Sequence, residues 1–201
     1  MTRDFLFDIG NVILRFDFSI AVRALRAHST LATEDPLGAI EDIQNQLEAG
    51  QLDNDTFISR SIEILGFGGT PDEFARIWCE IFQLNEPIAA IIEKLATSGN
   101  RLYLLSNTSG LHKEYFFDAY PIFATFLGGV YSHTACSMKP AEDIFTQAFD
   151  SFGLVPETTV YIDDNEENIA AGNRLGLQSI LYDPERHEEI IPRLEAFGVS
   201  F

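Results

Sequence analysis

Five short apolar runs, each about the length of a strand, punctuate the chain, and each ends in a polar residue or a turn. Residues 5–7 run into Asp8, residues 102–105 into Ser106, Val130-Tyr131 into Ser132, residues 160–162 into Asp163, and residues 180–182 into Asp183-Pro184. The runs are continuously apolar rather than alternating, as expected of strands buried on both faces of a parallel sheet. Helical spacing fills the intervals. Ile88, Ile91, Ile92 and Leu95 precede a Gly99-Asn100 stop, Ile144, Phe145, Ala148 and Phe149 precede Gly153, and Ile169 and Leu175 precede Gly176. Strand and helix in alternation predict an α/β fold with a doubly wound, mostly parallel, Rossmann-like sheet. Ligands of such a sheet sit outside the carboxyl ends of its strands, where these polar residues collect.

Residues 16–83 break the alternation and read as helical throughout. Leu37, Ile40, Ile43 and Leu47 form one stripe, stopped at Gly50. Asp53 is placed to cap a helix carrying Phe57, Ile58, Ile62 and Leu65, and the segment Gly66-Phe67-Gly68-Gly69 breaks it. Thr70-Pro71-Asp72-Glu73 combines a capping box with proline at the first helical position, and Phe74, Ile77, Trp78, Ile81 and Phe82 form that helix's apolar face. The segment is therefore expected to be a helical lobe inserted after the first strand, with residues 1–15 and 84–201 forming the core.

Composition narrows the partners. The 201 residues are 46% hydrophobic and 22% charged, as in a folded globular chain, with a net charge of −18. Nucleic acid and anionic membrane both require a basic footprint, so neither is an expected partner. An anionic substrate would need a locally positive site supplied by a metal, a lysine or helix N-termini. Two cysteines, Cys79 and Cys136, give no disulfide framework and suit a reducing cytoplasm. Cys136 reads as a small packing residue. No long apolar run follows the N-terminus, so no signal peptide is expected, and no segment approaches the ~20 apolar residues of a membrane span. The aromatic cluster of Tyr115, Phe116, Phe117, Tyr120, Phe123 and Phe126 reads as core or lobe contact. Oligomeric state has no sequence signal here.

Four of the polar elements belong together chemically. Asp8 ends the first strand, Ser106-Asn107-Thr108 the second, Lys139-Pro140 opens a helix, and Asp163-Asp164, with Asn168 following, ends a later strand. They supply a carboxylate nucleophile, hydroxyl and amide donors, a cation and a hard-oxygen site suited to Mg²⁺. Two adjacent carboxylates at a buried strand end are costly without a cation, which favours a metal. Phosphoryl transfer needs this set, because its catalysis is positioning plus charge stabilisation.

In that order, Asp8…Ser106…Lys139…Asp163-Asp164 resembles the four motifs of the haloacid dehalogenase superfamily of hydrolases, and the helical insert resembles that family's first-type cap. The likeness covers nearly the whole chain. FDIGNVILRFDF, LLSNTS, KPAEDIF and YIDDNEENIAAG look most like bacterial phosphatases acting on α-D-glucose 1-phosphate and the phosphatase domain of soluble epoxide hydrolases. The resemblance implies a cytoplasmic phosphatase of a small phosphorylated metabolite, with Asp8 attacking phosphorus to form an aspartyl-phosphate. It implies Mg²⁺ at Asp8, the Gly10 carbonyl, Asp163 and Asp164. Asp164 would be a direct ligand, while Asp163 and Asn168 act through metal-bound waters. Ser106, the Asn107 backbone amide and Lys139 would hold the phosphate.

Gly10 departs from the family's usual pattern. It replaces the Asp that protonates the leaving oxygen and then activates water, a role worth ~10²–10⁴ in rate. Its loss favours esters with good leaving groups, such as sugar 1-phosphates, and predicts a slow second step. Asp17 and His112 are the candidates to take over the acid–base role. Ahead of Lys139, Cys136 and Met138 stand where relatives often carry Gly and Arg. Two other readings remain open: a metal-independent 2-haloacid dehalogenase, in which the same carboxylate attacks carbon, and a phosphoester-binding module without turnover.

Overall fold

The computed structural model describes residues 2–31, 33 and 35–200. Met1, Ala32, Glu34 and Phe201 fall within the predicted segments and lie outside the described residues.

The first apolar run forms β1 (Asp4–Phe7), which ends at Asp8. A tight turn through Asn11, held at φ 51°, leads into the short β2 (Leu14–Phe16). Four helices follow, α1 (Phe18–His28), α2 (Glu41–Glu48), α3 (Asn54–Leu65) and α4 (Pro71–Cys79). β3 (Phe82–Leu84) then pairs antiparallel with β2, setting Phe82 opposite Phe16. From there strand and helix alternate as the apolar periods predict: α5 (Glu86–Thr97), β4 (Arg101–Ser106), α6 (Gly110–Ala119), β5 (Gly128–Tyr131), α7 (Ser132–Ala135), α8 (Glu142–Phe152), β6 (Thr159–Asp163), α9 (Glu166–Arg174), β7 (Gln178–Leu181) and α10 (Ile190–Ala196).

All five expected strands join one parallel sheet in the order β5-β4-β1-β6-β7. Successive side chains of a strand point to opposite faces, and both faces are buried. Phe5, Phe7, Leu104 and Ile162 meet Ile88, Ile92 and Leu95 of α5 and Leu194 of α10. Leu6, Leu105 and Tyr161 meet Ile144, Phe145 and Ala148 of α8 and Ala171 of α9. Helices α1–α4 enclose a separate core around Leu25, Leu47, Phe57, Phe74 and Trp78. No helix among the described residues is long and apolar enough to cross a membrane.

Local signals act where the sequence places them. Asp53 caps α3 by accepting from the Thr56 amide at 2.8 Å, and Gly66 closes that helix at φ 56°. Thr70 and Glu73 form the reciprocal box that starts α4. Residues 16–83 are not helical throughout, however. Helix α4 ends at Cys79, and Phe82 lies in β3 rather than on that helix's apolar face. The cause is tertiary: Phe16 and Phe82 pair across two segments far apart in the chain, and the Asp17 amide donates to the Ile81 carbonyl. Of the aromatic cluster, Phe116 and Phe123 are core, Tyr115 packs against both the sheet and the helical cores, and Phe117 is exposed.

Candidate active site

β1 is the strand at which the chain changes direction across the sheet: β4 and β5 lie on one side, β6 and β7 on the other. Such a switch point opens a crevice at the carboxyl ends of the strands. Phe7 pairs with Ile162, and the Asp8 amide continues the ladder by donating to the Ile162 carbonyl at 2.9 Å. Asp8 and Asp163 therefore stand side by side at the rim. Lys139 reaches between them from the loop before α8. Its Nζ lies 2.8 Å from Asp8 Oδ1 and 2.6 Å from Asp163 Oδ2, and it donates to the Leu105 carbonyl at 2.8 Å.

This charge cluster is buried, and its ionisation follows from that. Burial pushes the Asp8 carboxyl up to about 6, against the pull of Lys139. Burial also opposes ionisation of Asp163, but Lys139 and hydrogen bonds from Tyr161 and the Asn165 amide hold its carboxyl below the ordinary range. Lys139 shows the converse: burial works against its charge, and Asp8 and Asp163 keep its ammonium above the ordinary value. Asn168 Nδ2 donates to both oxygens of Asp163, at 3.0 and 3.2 Å. Asp163 is thus fully engaged by protein donors. Asp164 is raised by burial and is held by Asn11 Nδ2, 3.0 Å from its Oδ2.

One carboxylate oxygen from each of Asp8, Asp163 and Asp164 lies within 4.8 Å of the others. Three carboxylates thus face a single buried ammonium. Hard oxygen donors in excess negative charge fit a divalent cation of the Mg²⁺ type. Neither member of the acidic pair caps the following helix, since Asn165 caps α9.

Ser106 ends β4, buried and close to Asp8. It does not cap the next helix; Ser109 does, accepting from the His112 amide. The Asn107 side chain clasps the Lys139 backbone, donating to its carbonyl at 2.9 Å and accepting from its amide at 2.8 Å. Asn107 also lines the neighbouring cavity. That cavity measures about 180 Å³ and is walled by Gly10, Ser106, Asn107 and Thr108 from the sheet rim and by Phe18, Gln44 and Glu48 from α1 and α2. Phe16, Phe82 and Phe116 supply apolar surface.

The two candidates for acid–base work do not fit it. Asp17 is the exposed N-cap of α1, with Oδ1 accepting from the Ser19 amide at 2.8 Å, and it does not line the cavity. Hydrogen bonds from Ser19 hold its carboxyl below the ordinary range, which makes it a poor proton donor. His112 does line the cavity, but its ring is stacked between Trp78 and Phe116 and its Nε2 donates to the Trp78 carbonyl. Burial lowers it to about 4, so at neutral pH it is uncharged and its one proton is committed.

Position 10 is crowded for a side chain. A Cβ on Gly10 would stand 3.2 Å from Cε1 of Phe16 and 4.0 Å from Asp8 Oδ2. The part-exposed ring of Phe16 would have to give by a few tenths of an ångström to admit a side chain there. Cys136 is a further correction: it is exposed, at φ 49°, rather than a buried packing residue.

Three residues escaped the sequence reading. Asn11 is legible only as the Asn after the glycine turn, Tyr161 looks like one more apolar strand residue, and Glu48 lies in a helical stripe without any motif.

The sequence model described as haloacid dehalogenase-like hydrolase matches residues 4–176. A D-ribitol-5-phosphate phosphatase from Bacteroides thetaiotaomicron is 26% identical over 196 residues, covering 92% of this chain and 93% of the relative. A crystal structure of a HAD family enzyme from the same organism superposes with a TM-score of 0.85 at 21% identity, covering 94% of this chain and 98% of that one. A second structure of that enzyme, in complex with magnesium and inorganic phosphate, gives 0.80 at 22% identity, covering 92% and 96%.

Proposed function

This chain belongs to the haloacid dehalogenase-like hydrolase family, and from that premise we propose that it is a Mg²⁺-dependent phosphatase of a small sugar or sugar-alcohol phosphate. The observation that carries the reading is the placement of Asp8. It ends the central strand, its Oδ1 is 2.8 Å from Lys139, and the next two residues, Ile9 and Gly10, line a cavity with Ser106 and Asn107. The relative that hydrolyses ribitol 5-phosphate and the structural neighbour crystallised with magnesium and phosphate support the substrate class and the cofactor. A sugar 1-phosphate belongs to the same class.

Asp8 and Asp164, with the Gly10 carbonyl, would hold Mg²⁺, which would offset charge on the phosphoryl group. Asp8 Oδ2 attacks phosphorus while Oδ1 stays paired with Lys139, giving an aspartyl-phosphate that water then hydrolyses. Lys139 neutralises the nucleophile and a phosphoryl oxygen together. Asp163, saturated by Lys139, Tyr161 and Asn168, fixes the lysine rather than binding the metal directly. Ser106 and the Asn107 amide orient the phosphoryl oxygens. Residues 16–83 act as a cap that closes over the leaving group and excludes water. The acidic Asp164 favours this reading over a metal-free dehalogenase, which has no use for a cation site.

The test is a panel of phosphate esters assayed with and without Mg²⁺. Phosphate release should require Mg²⁺ and vanish in Asp8→Asn. No release from any ester with Mg²⁺ present, or release that survives Asp8→Asn, overturns the proposal.

A further inference from the structure

With position 10 lacking a carboxylate, the reaction has no evident proton donor for the leaving oxygen. The cavity wall supplies a short roster of titratable side chains: among the described residues lining it, only Glu48 and His112 ionise. His112 is excluded by its bond to Trp78. Glu48 ends α2, four residues after Gln44, and both project into the cavity opposite Gly10 and Ser106–Thr108.

We propose that Glu48, carried by the helical lobe, is the acid–base catalyst of the reaction, standing in for the side chain absent at position 10. This rests on the phosphatase reading above and extends it.

The surroundings hold Glu48 ready for that role. The carboxyl is half-buried and accepts one hydrogen bond, from Gln44 Nε2 at 3.2 Å. Among the described residues no cation pairs with it; burial raises its proton affinity and the Gln44 bond only partly offsets this. The other titratable group lining the cavity among the described residues is His112, which is neutral, and Asp8 precedes the lining residues Ile9 and Gly10 in the chain. His133 on α7 is turned to the Thr108 carbonyl. The backbone of Glu48 is fixed to the core. The Ser132 hydroxyl donates to its carbonyl at 2.6 Å while accepting from the Thr108 amide at 2.9 Å, so one buried serine ties the phosphate-side loop to the end of α2. Two residues on, Gly50 sits at φ 71° with its Cβ position only 2.1 Å from the His133 carbonyl. Any side chain there would lift α2 off the core, so the glycine permits the close approach that brings Glu48 in.

The proton balance is as follows. Asp8 attacks phosphorus, the P–O bond to the alcohol breaks, and the protonated Glu48 carboxyl gives its proton to the departing oxygen. The carboxylate so formed takes a proton from the water that attacks the aspartyl-phosphate. Breaking the P–O bond to Asp8 releases inorganic phosphate and restores both side chains. On this scheme the wild-type second step is not slow, contrary to the expectation from Gly10 alone.

Glu48→Gln tests it with Mg²⁺ and two esters, p-nitrophenyl phosphate and the alkyl phosphate that wild type hydrolyses best. p-Nitrophenolate leaves without a proton. Loss of the acid should therefore lower first-turnover rates on the alkyl ester by at least ~10²-fold, and on the aryl ester by less than about tenfold. Loss of the base should make dephosphorylation limiting, so the variant should show a burst of about one p-nitrophenolate per enzyme that wild type lacks. Glu48→Ala should regain alkyl-ester turnover in added formate, which separates lost chemistry from lost structure. Equal slowing of both esters, no slowing of either, or no rescue by formate overturns the role of Glu48. A wild type inactive on both esters would instead overturn the phosphatase reading itself.

Discussion

Replacing His112 with Phe should change how folding stability depends on pH, by an amount set by the burial of the ring. His112 titrates near 6.5 when exposed but is held down to about 4 in the fold. Between those values the unfolded chain binds a proton that the folded chain refuses, so stability falls as pH falls. The contribution is complete above about 6.5 and is lost as pH drops to about 4. At about 1.4 kcal/mol per pH unit, that interval is worth about 3 kcal/mol. Asp8 works in the opposite sense: raised from 3.8 to about 6, it contributes stability at low pH that disappears as pH rises through 6. The two oppose each other over the same pH range, so the histidine contribution is read from a difference. Phe fits the stack between Trp78 and Phe116, and its loss of the bond to the Trp78 carbonyl adds an offset of about 1–3 kcal/mol that does not vary with pH. Urea unfolding of both proteins in EDTA, from about pH 4 to 7.5, gives the difference in stability. It should widen by about 3 kcal/mol from the acid to the neutral end. A difference that stays level within about 1 kcal/mol would refute the claim that His112 is buried and neutral.

Other perturbations probe the charge cluster and the crowded position 10. Lys139→Met leaves Asp8 and Asp163 buried without a cation, which should cost about 3–5 kcal/mol at pH 7 and abolish turnover. The deficit should shrink at pH 5 as the unpaired carboxyls protonate, and a melting temperature unchanged at pH 7 would contradict the burial argument. Gly10→Asp should not improve hydrolysis of alkyl esters, because Phe16 crowds the new side chain and must shift to admit it. It should instead destabilise by about 1–3 kcal/mol, much of it regained in the double variant with Phe16→Ala. A gain in alkyl-ester turnover from Gly10→Asp alone would show that position 10 is open.

Much of this protein was fixed by signals local in the chain. The five apolar runs specify the strands, because a parallel sheet covered on both faces admits apolar residues at every position. The capping residues Asp53 and Thr70 and the stop at Gly66 act within one helical turn, so they are visible without knowing the fold. Asp8, Ser106, Lys139 and Asp163-Asp164 are legible for the same reason: each terminates a run or opens a helix, and a parallel sheet delivers its strand ends to one rim. What the sequence could not supply is the distance between segments remote from one another. Pairing of Phe16 with Phe82 makes a strand out of residues that carry a helical apolar pattern. The same ring crowds the space beside Gly10. Asp17 and His112 have the right chemistry on paper, yet a backbone amide claims one and a buried carbonyl the other. Glu48 carries no motif at all, and only the packing of α2 on Ser132 and His133 brings it to the cavity. Strand ends follow from local patterning, whereas the side chains that meet above them follow from how two separately cored units press together.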